Sequence, residues 1–250
     1  MNGPRLAPSN IAHRLGAGLG AENSAAACRA ALAAGFRAFE CDVKLSADGQ
    51  AFLLHDDALL RTHGSPWRAS TLSWARLREL ARSGGAELLG LAELHELLHA
   101  CPEPTWVNLE IKPDDDASAA LQADWGSRVA RLADALWRDD APAPCLSSFS
   151  IPALQGAAAA VPRLPRAWLC QRLPGYWRGV AQALRLEAVH LAADACSEQE
   201  LAQLREAGLR VRLYTVNDPA LLRRWLQLGA SGVFTDIVPD DRADPADRHT

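Results

Sequence analysis

The sequence predicts an α/β fold, a single (β/α)₈ barrel in which parallel strands alternate with crossover helices. Its 250 residues are 49% hydrophobic, enough for one substantial core, and this length is typical of one such barrel. Short apolar runs alternate with longer segments whose apolar residues recur at helical spacing. Several later helical segments end at a glycine, as at Gly208 and Gly229, which is a helix stop signal. We therefore expect one domain over residues 1–250.

Eight apolar runs are the candidate barrel strands. They are residues 10–14, 37–43, 105–112, 144–149, 166–170, 187–191, 210–216 and 232–236. The helical pattern is clearest in residues 24–34, 117–138, 197–207 and 218–228. Because parallel neighbours need a crossover connection, helices between the strands indicate a parallel sheet.

A ninth apolar run, residues 51–55, follows the second strand too closely for a crossover helix to lie between them. A hairpin fits better, since the connecting SADG contains an Asp-Gly pair of the kind found in hairpin turns. A turn centred between Asp48 and Gly49 predicts that Asp42 pairs with His55.

Two segments fall outside the alternating pattern. Residues 56 to about 90 are rich in turn-forming residues and contain one short helical pattern from Ser73 to Ala81. We expect them to form a small insertion after strand 2, over the top of the barrel. The tail, residues 237–250, has little to bury, and we expect it to be mobile.

Composition limits the classes of partner. The net charge of −4 is spread along the chain without a basic block, so we expect no nucleic-acid binding and no stable membrane association. The N-terminal segment lacks the apolar core of a secretory signal, and no apolar stretch is long enough to span a bilayer. Six cysteines without a CxxC pair indicate neither a disulfide framework nor a structural zinc site. We expect a cytoplasmic protein with small-molecule partners; the oligomeric state stays open.

Polar side chains gather at the predicted C-terminal strand ends, where the active sites of such barrels lie. They are His13 and Arg14 after strand 1, Glu40 and Asp42 on strand 2, His55 at the hairpin, Glu110 and Lys112 on strand 3, and Asn217 after strand 7. Residues two apart in a strand point to the same side of the sheet. If that side is the barrel interior, three carboxylates and a lysine converge.

Such a convergence predicts metal-assisted phosphoryl chemistry. Three confined carboxylates favour a bound cation because like charges raise each other's pKa, and hard oxygen ligands suit Mg²⁺ or Ca²⁺ better than zinc. Arg14 and Lys112 could bind the phosphate that the ion polarises. Two nearby histidines could act as general base and general acid. A single strand-end histidine or arginine is more often structural, so the joint arrangement carries the prediction.

Another histidine pair, His95 and His99, lies four residues apart and could ligate a metal from one helix face. No further ligand lies nearby in the sequence, so a structural role is favoured for both.

The sequence also resembles the glycerophosphodiester phosphodiesterase family over nearly its whole length. The segments that carry the likeness are, in order, AHR (12–14), EN (22–23), FECDVKLSADG (39–49), LLHDDALLRT (53–62), NLEIKP (108–113), LSSF (146–149), AGLRVRLYTVN (207–217) and FTD (234–236). The likeness is strongest to bacterial cytoplasmic members associated with glycerol-phosphate uptake. It implies a TIM barrel with a small insertion after strand 2, and metal-dependent hydrolysis of deacylated phospholipids to sn-glycerol 3-phosphate and an alcohol.

The resemblance also implies roles for ten residues. It makes His13 and His55 the acid–base pair, Glu40, Asp42 and Glu110 the metal ligands, Arg14 and Lys112 phosphate contacts, Asn217 a substrate contact, and Glu22 and Asn23 supporting residues. Which histidine is the base stays open, as does whether the nucleophile is water or a glycerol hydroxyl. Leu15 stands where the family usually has glycine, and a side chain there could narrow the site or shift Arg14.

Two alternatives remain. The first is a phospholipase D acting on lysophospholipids, which would need an apolar channel or a membrane-binding surface; the insertion shows no amphipathic anchor. The second is a barrel that binds a phosphorylated ligand without turning it over, which the intact set of two histidines and three carboxylates argues against.

Overall fold

The computed structural model describes residues 9–140 and 142–238, and these contain the predicted barrel. The strands are β1 (Asn10–Ala12), β2 (Ala38–Leu45), β3 (Ala51–Leu53), β4 (Trp106–Ile111), β5 (Cys145–Ser148), β6 (Arg166–Cys170), β7 (Ala188–Ala192), β8 (Arg210–Tyr214) and β9 (Gly232–Thr235). All eight predicted barrel strands are confirmed. Most of the tail predicted to be mobile lies outside the described residues.

Eight of these strands are parallel and close on themselves. Their order is β1-β9-β8-β7-β6-β5-β4-β2, and β1 also pairs with β2 through Ala12 and Phe39, which closes the barrel. β3 pairs only with β2 and is antiparallel to it, so it extends one strand without joining the ring. The predicted TIM barrel is therefore confirmed.

Seven of the described helices alternate with the barrel strands, and the second and third along the chain lie in the insertion. The helices are α1 (Ala25–Ala33), α2 (Leu60–His63), α3 (Trp74–Ser83), α4 (Leu91–His99), α5 (Ala119–Leu136), α6 (Ile151–Ala160), α7 (Trp177–Leu184), α8 (Glu198–Glu206) and α9 (Pro219–Gln227). Five of them begin after a serine whose hydroxyl accepts a backbone N–H three residues ahead, a cap that contributes about 1 kcal/mol. None of the described helices is both long and apolar enough to cross a membrane.

The barrel interior is mostly apolar near the starts of the strands and carries carboxylates toward their ends. The lower part also holds the buried Arg212, whose guanidinium lies 4.6 Å from the centre of the Trp106 ring. The apolar cluster around it consists of Ile11, Ala38, Trp106, Cys145, Ala167, Ala188 and Phe234. Every second residue of a strand shares a face, so Ala38 places Glu40 and Asp42 in the interior, and Trp106 does the same for Glu110. The register of β2 and β4 sets Asp42 directly beside Glu110. The predicted convergence of carboxylates follows from this alternation.

The register of the β2–β3 hairpin differs from the prediction by one residue. Leu54, not His55, lies opposite Asp42, because the Leu54 N–H donates to the Asp42 carbonyl over 3.0 Å. Gly49 adopts φ 83°, and its N–H donates to the Ser46 carbonyl. The hairpin loop therefore has three residues and is centred on Asp48. The predicted pairing of Asp42 with His55 is therefore wrong.

The insertion packs on the face of the hairpin that also carries Asp42 and Lys44. The short helical pattern predicted within it is confirmed as α3, and a small apolar cluster joins this region to β3. Its buried members are Phe52, Leu54, Leu59, Ala69, Leu77, Ala81 and Leu88. The cluster fixes the segment that follows His55 against the barrel.

Candidate active site

The residues predicted to carry chemistry line one cavity of about 180 Å³ at the C-terminal ends of the strands. Seven of the ten candidates lie on its wall, namely His13, Arg14, Glu40, Asp42, His55, Glu110 and Lys112. The remaining wall residues were not predicted, and they are Asn108, Phe149, Leu169, Tyr214, Thr215 and Phe234. Glu22 and Asn23 stand behind the wall, each hydrogen-bonded to a residue that lines it.

The carboxylates of Glu40, Asp42 and Glu110 form the centre of the site. All three are buried, and one oxygen from each lies within 4.8 Å of the others. Burial raises the pKa of Glu40 and of Glu110, and the charge of Asp42 raises both further. Burial by itself would raise the pKa of Asp42, but the charges of Lys112, His55 and Arg14 and the hydrogen bond from Asn23 together outweigh it and lower that pKa.

This donor set fits a divalent cation. Three buried carboxylates are hard oxygen ligands, and their mutual repulsion in a low-dielectric site is relieved when a cation joins them. The structure thus supplies a possible metal site in Glu40, Asp42 and Glu110, as the sequence predicted.

Two cationic side chains border the carboxylates. Nζ of Lys112 lies 3.4 Å from Oδ1 of Asp42 and 3.5 Å from Oε1 of Glu110. Nε of Arg14 lies 3.7 Å from Oδ2 of Asp42 and, although buried, has no hydrogen-bond partner among the described residues. Both side chains line the cavity, so both can contact an anionic group that enters it.

His13 is anchored by Asp236, which follows β9. The Nδ1 of His13 lies 2.8 Å from Oδ1 of Asp236, and Nδ2 of Asn217 donates to the other carboxylate oxygen over 2.8 Å. Burial by itself would lower the pKa of His13, but the hydrogen bond to Asp236 and the charge of Glu40 outweigh it and raise that pKa. The Asn217 side chain is thus engaged with Asp236, and its predicted contact with substrate stays a prediction.

His55 is anchored in the same way by its sequence neighbour. The Nδ1 of His55 lies 2.7 Å from Oδ1 of Asp56, whose other oxygen accepts from Nε of Arg61 over 2.6 Å. The Arg61 guanidinium also donates to the Glu22 carboxylate, which accepts a second hydrogen bond from Nη1 of Arg14 over 2.9 Å. Burial is the main cause that lowers the pKa of His55. One chain of hydrogen bonds therefore joins His55 to Arg14.

The turn after β1 has an unusual backbone that aims a donor at the carboxylates. Arg14 and Leu15 have φ of 47° and 64°, and the Arg14 N–H donates to Oε2 of Glu40 over 2.8 Å. Asn23, also left-handed at φ 56°, donates from Nδ2 to Oδ2 of Asp42 over 2.9 Å. Two carboxylates thus receive fixed donors from this turn.

Leu15 does not narrow the site. Its side chain is fully buried in the main apolar core with Cys28, Ala31 and Phe39, and it does not line the cavity. The positive φ of Leu15 explains why a glycine suits this position, since left-handed backbone costs residues with a side chain about 1 kcal/mol.

Lys44 on β2 forms ion pairs with residues of two loops, the insertion and the loop after β4. It is fully buried, and its Nζ lies 2.6 Å from Oδ1 of Asp57 in the insertion and 3.3 Å from Oδ1 of Asp114 after β4. A buried lysine is costly unless paired, so these carboxylates hold both loops on β2.

The prediction missed four residues that support the site, Asp56, Arg61, Asn108 and Asp236. All four lie inside segments that the resemblance already used, and Asp236 is the last residue of a predicted strand. Asn108 shares the inward face of β4 with Glu110, so alternation could have found it.

Comparison with known proteins gives a consistent result. Residues 13–239 match the Glycerophosphoryl diester phosphodiesterase family. The chain is 26% identical over 231 residues to a probable glycerophosphodiester phosphodiesterase 2 of Mycobacterium tuberculosis, covering 86% of this chain and 81% of that protein. It is 24% identical over 234 residues to an uncharacterized protein of Bacillus subtilis, covering 91% and 94%.

Solved structures show the same fold. A phosphodiesterase of Oleispira antarctica, in complex with the product sn-glycerol-3-phosphate, superimposes with a TM-score of 0.81 at 25% identity and covers 93% of this chain and 94% of its own. A putative glycerophosphodiester phosphodiesterase of Galdieria sulphuraria gives a TM-score of 0.78 at 18% identity, covering 93% and 95%. The chain therefore belongs to the glycerophosphoryl diester phosphodiesterase family.

Proposed function

We propose that the chain hydrolyses glycerophosphodiesters to sn-glycerol 3-phosphate and an alcohol, with a divalent cation held by Glu40, Asp42 and Glu110. One observation carries this proposal. Three buried carboxylates and two histidines, each anchored at Nδ1 by an aspartate, line a single cavity. The chain is a member of a phosphodiesterase family, so we expect these side chains to bind and cleave a phosphodiester.

The size of the cavity favours a small polar substrate. At about 180 Å³ it is smaller than the sites of roughly 300–1,000 Å³ that hold drug-sized ligands. The solved relative from Oleispira antarctica contains sn-glycerol-3-phosphate, which is a molecule of suitable size and charge. We infer that the glycerol phosphate half of the substrate occupies the cavity.

The chain's own residues provide binding and proton transfer. Arg14 and Lys112 hold the phosphate, the first as a planar fork and the second as a compact charge. A bound Mg²⁺ or Ca²⁺ would polarise a phosphoryl oxygen. Since Asp236 and Asp56 occupy the Nδ1 atoms of His13 and His55, Nε2 of each ring is left for the reaction.

Proton transfer then divides between the two rings. One Nε2 takes a proton from the attacking oxygen, of water or of a glycerol hydroxyl, as that oxygen bonds to phosphorus, and the other protonates the alcohol oxygen as its bond to phosphorus breaks. Attack by the glycerol hydroxyl would give a cyclic phosphate, which a water molecule then opens to sn-glycerol 3-phosphate. The aspartate behind each ring fixes its orientation and favours the imidazolium form.

A lysophospholipid is the second candidate substrate, favoured by one feature. A groove of about 1530 Å³ runs between α1, the insertion and α4, and it reaches His55. Its lining includes apolar side chains, among them Leu32, Leu53 and Leu97, beside charged ones such as Arg29 and Glu96. An acyl chain could lie there, so both substrates belong in the test.

The experiment is a substrate panel with purified protein and either Mg²⁺ or Ca²⁺. We expect choline release from glycerophosphocholine, and loss of most activity in His13→Ala and in His55→Ala while both variants stay folded by circular dichroism. Turnover of lysophosphatidylcholine alone would transfer the proposal to the second candidate. No turnover of any diester with either ion would end it. The predicted cytoplasmic location and the absence of membrane and nucleic-acid partners stay predictions.

A further inference from the structure

A second group of metal-ligating side chains lies at the opposite end of the barrel from the active site. His95 and His99 are in the last turns of α4, and Asp140 lies in the loop after α5. These connections lead to the starts of β4 and β5, whereas the active site lies at the strands' other ends. The sequence offered no third ligand for the histidine pair, and the fold supplies one 41 residues after His99.

The three side chains already converge. The Nε2 of His95 lies 2.9 Å from Oδ2 of Asp140, and Nδ1 of His99 lies 3.6 Å from Oδ1 of the same carboxylate. One ligand atom from each residue lies within 4.8 Å of the other two. Ligands of a tetrahedral zinc ion are about 3.3 Å apart, given metal–ligand bonds of about 2.0 Å, so small side-chain rotations suffice.

Packing holds this arrangement on one side and leaves it open on the other. The His95 ring meets the Trp137 ring edge-on with centroids 4.8 Å apart, and it faces the His99 ring at 5.5 Å. The His95 side chain is 18% exposed and that of His99 is 68% exposed. One ligand is thus preorganised, and solvent can reach the site to deliver an ion and a water ligand.

The local field also favours a cation. α4 ends at His99 and α5 ends at Leu136, just before Trp137 and Asp140, so the C-termini of both helices lie near the cluster. A helix C-terminus carries a partial negative charge of about half an electron, which stabilises a nearby positive charge. The carboxylate of Asp140 adds a full negative charge.

We propose that His95, His99 and Asp140 bind a Zn²⁺ ion, with water completing the coordination. Two imidazoles and one carboxylate suit zinc and its transition-metal neighbours, whereas the all-oxygen set in the active site suits Mg²⁺ or Ca²⁺. The ion cross-links α4 to the loop after α5. It therefore stabilises the fold at the end of the barrel that takes no part in catalysis, by mass action on the native state.

The test is zinc binding by protein without a polyhistidine tag, in millimolar Mg²⁺ to occupy the active-site carboxylates. Calorimetry should find one Zn²⁺ bound per wild-type chain, accompanied by a higher melting temperature. His99→Ala and the near-isosteric Asp140→Asn should each weaken binding by more than about tenfold and lose the shift in melting temperature. Activity should be unchanged in His99→Ala.

Two control variants make the assignment specific. Glu96→Gln, on the same helix, and Glu110→Gln, in the active site, should bind zinc as the wild type does. The proposal is overturned if wild-type protein binds no zinc under these conditions. It is equally overturned if His99→Ala and Asp140→Asn retain wild-type affinity, or if Glu110→Gln alone abolishes binding.

Discussion

Asp236 holds His13 through a contact of 2.8 Å between carboxylate Oδ1 and ring Nδ1, joining residues 223 positions apart. The two residues are neighbours because β1 and β9 are paired in the closed barrel, with Ala12 beside Thr235. Closure of the barrel therefore completes the first of the two histidine–aspartate pairs. The position of one proposed acid–base histidine, His13, therefore depends on the last strand, β9.

Asp236→Asn should leave the fold intact and reduce kcat. The amide keeps the shape of the side chain but loses the charge that supports an imidazolium, so we expect kcat to fall by between about tenfold and 10²-fold with little change in KM. In metal-free protein, NMR titration should give a lower pKa for His13 in the variant. Asp124→Asn, an exposed change on α5, is the control. An unchanged kcat in Asp236→Asn would show that Asp236 does not assist His13 in proton transfer.

Gly18→Ala should disturb the same pair from behind. A Cβ atom at Gly18 would overlap the backbone carbonyl oxygen of Asp236, which must move and carry its side chain away from His13. We expect a lower kcat and a melting temperature lowered by a few degrees. In Gly179→Ala on α7, the added Cβ meets no described atom within 4 Å outside its own helix, so kcat should stay at the wild-type value and the melting temperature should not fall. Equal kcat values in the two variants would contradict this account.

Leu15 should tolerate glycine better than alanine. Both changes lose the burial of a leucine side chain, which costs about 2–5 kcal/mol, but only glycine relieves the left-handed backbone at φ 64°. We expect urea unfolding to show Leu15→Gly to be more stable than Leu15→Ala by about 1 kcal/mol. The order at most positions is the reverse, so a more stable alanine variant would show that the backbone there is unstrained.

Stability should fall below about pH 6.5 partly because of His190. This ring is fully buried, and burial together with the charge of Arg212 lowers its pKa well below the usual 6.5. As pH falls below 6.5, His190 binds a proton in the unfolded state but not in the folded state. The free energy of unfolding therefore decreases as the pH is lowered. The Nη1 of Arg212 lies 3.2 Å from Nε2 of His190. His190→Gln keeps an acceptor there but cannot titrate, so its unfolding free energy should change less between pH 7 and pH 5.

Much of the fold and the chemical character of the site followed from local patterns. Alternation of apolar segments gave the strands, and the period of two placed Glu40, Asp42 and Glu110 on inward faces. The hairpin register was missed because it depends on the left-handed turn at Gly49, and an Asp-Gly pair is compatible with more than one loop length.

Contacts between distant segments could not be predicted. The pairing of His13 with Asp236, and of His95 with Asp140, depends on which loops the closed barrel brings together. The buried position of Leu15 depends on the positive φ of two successive residues, which no periodicity encodes. Local sequence thus indicates which residues can do chemistry, and the closed sheet selects their partners.

The measurement that tests the central claim most directly is release of sn-glycerol 3-phosphate from glycerophosphocholine by EDTA-treated protein, before and after Mg²⁺ or Ca²⁺ is added. We predict no release without the ion, recovery with it, and no recovery in Glu110→Gln, which lacks one of the three carboxylates. Full activity after complete removal of divalent ions, or full recovery in Glu110→Gln, would contradict the account.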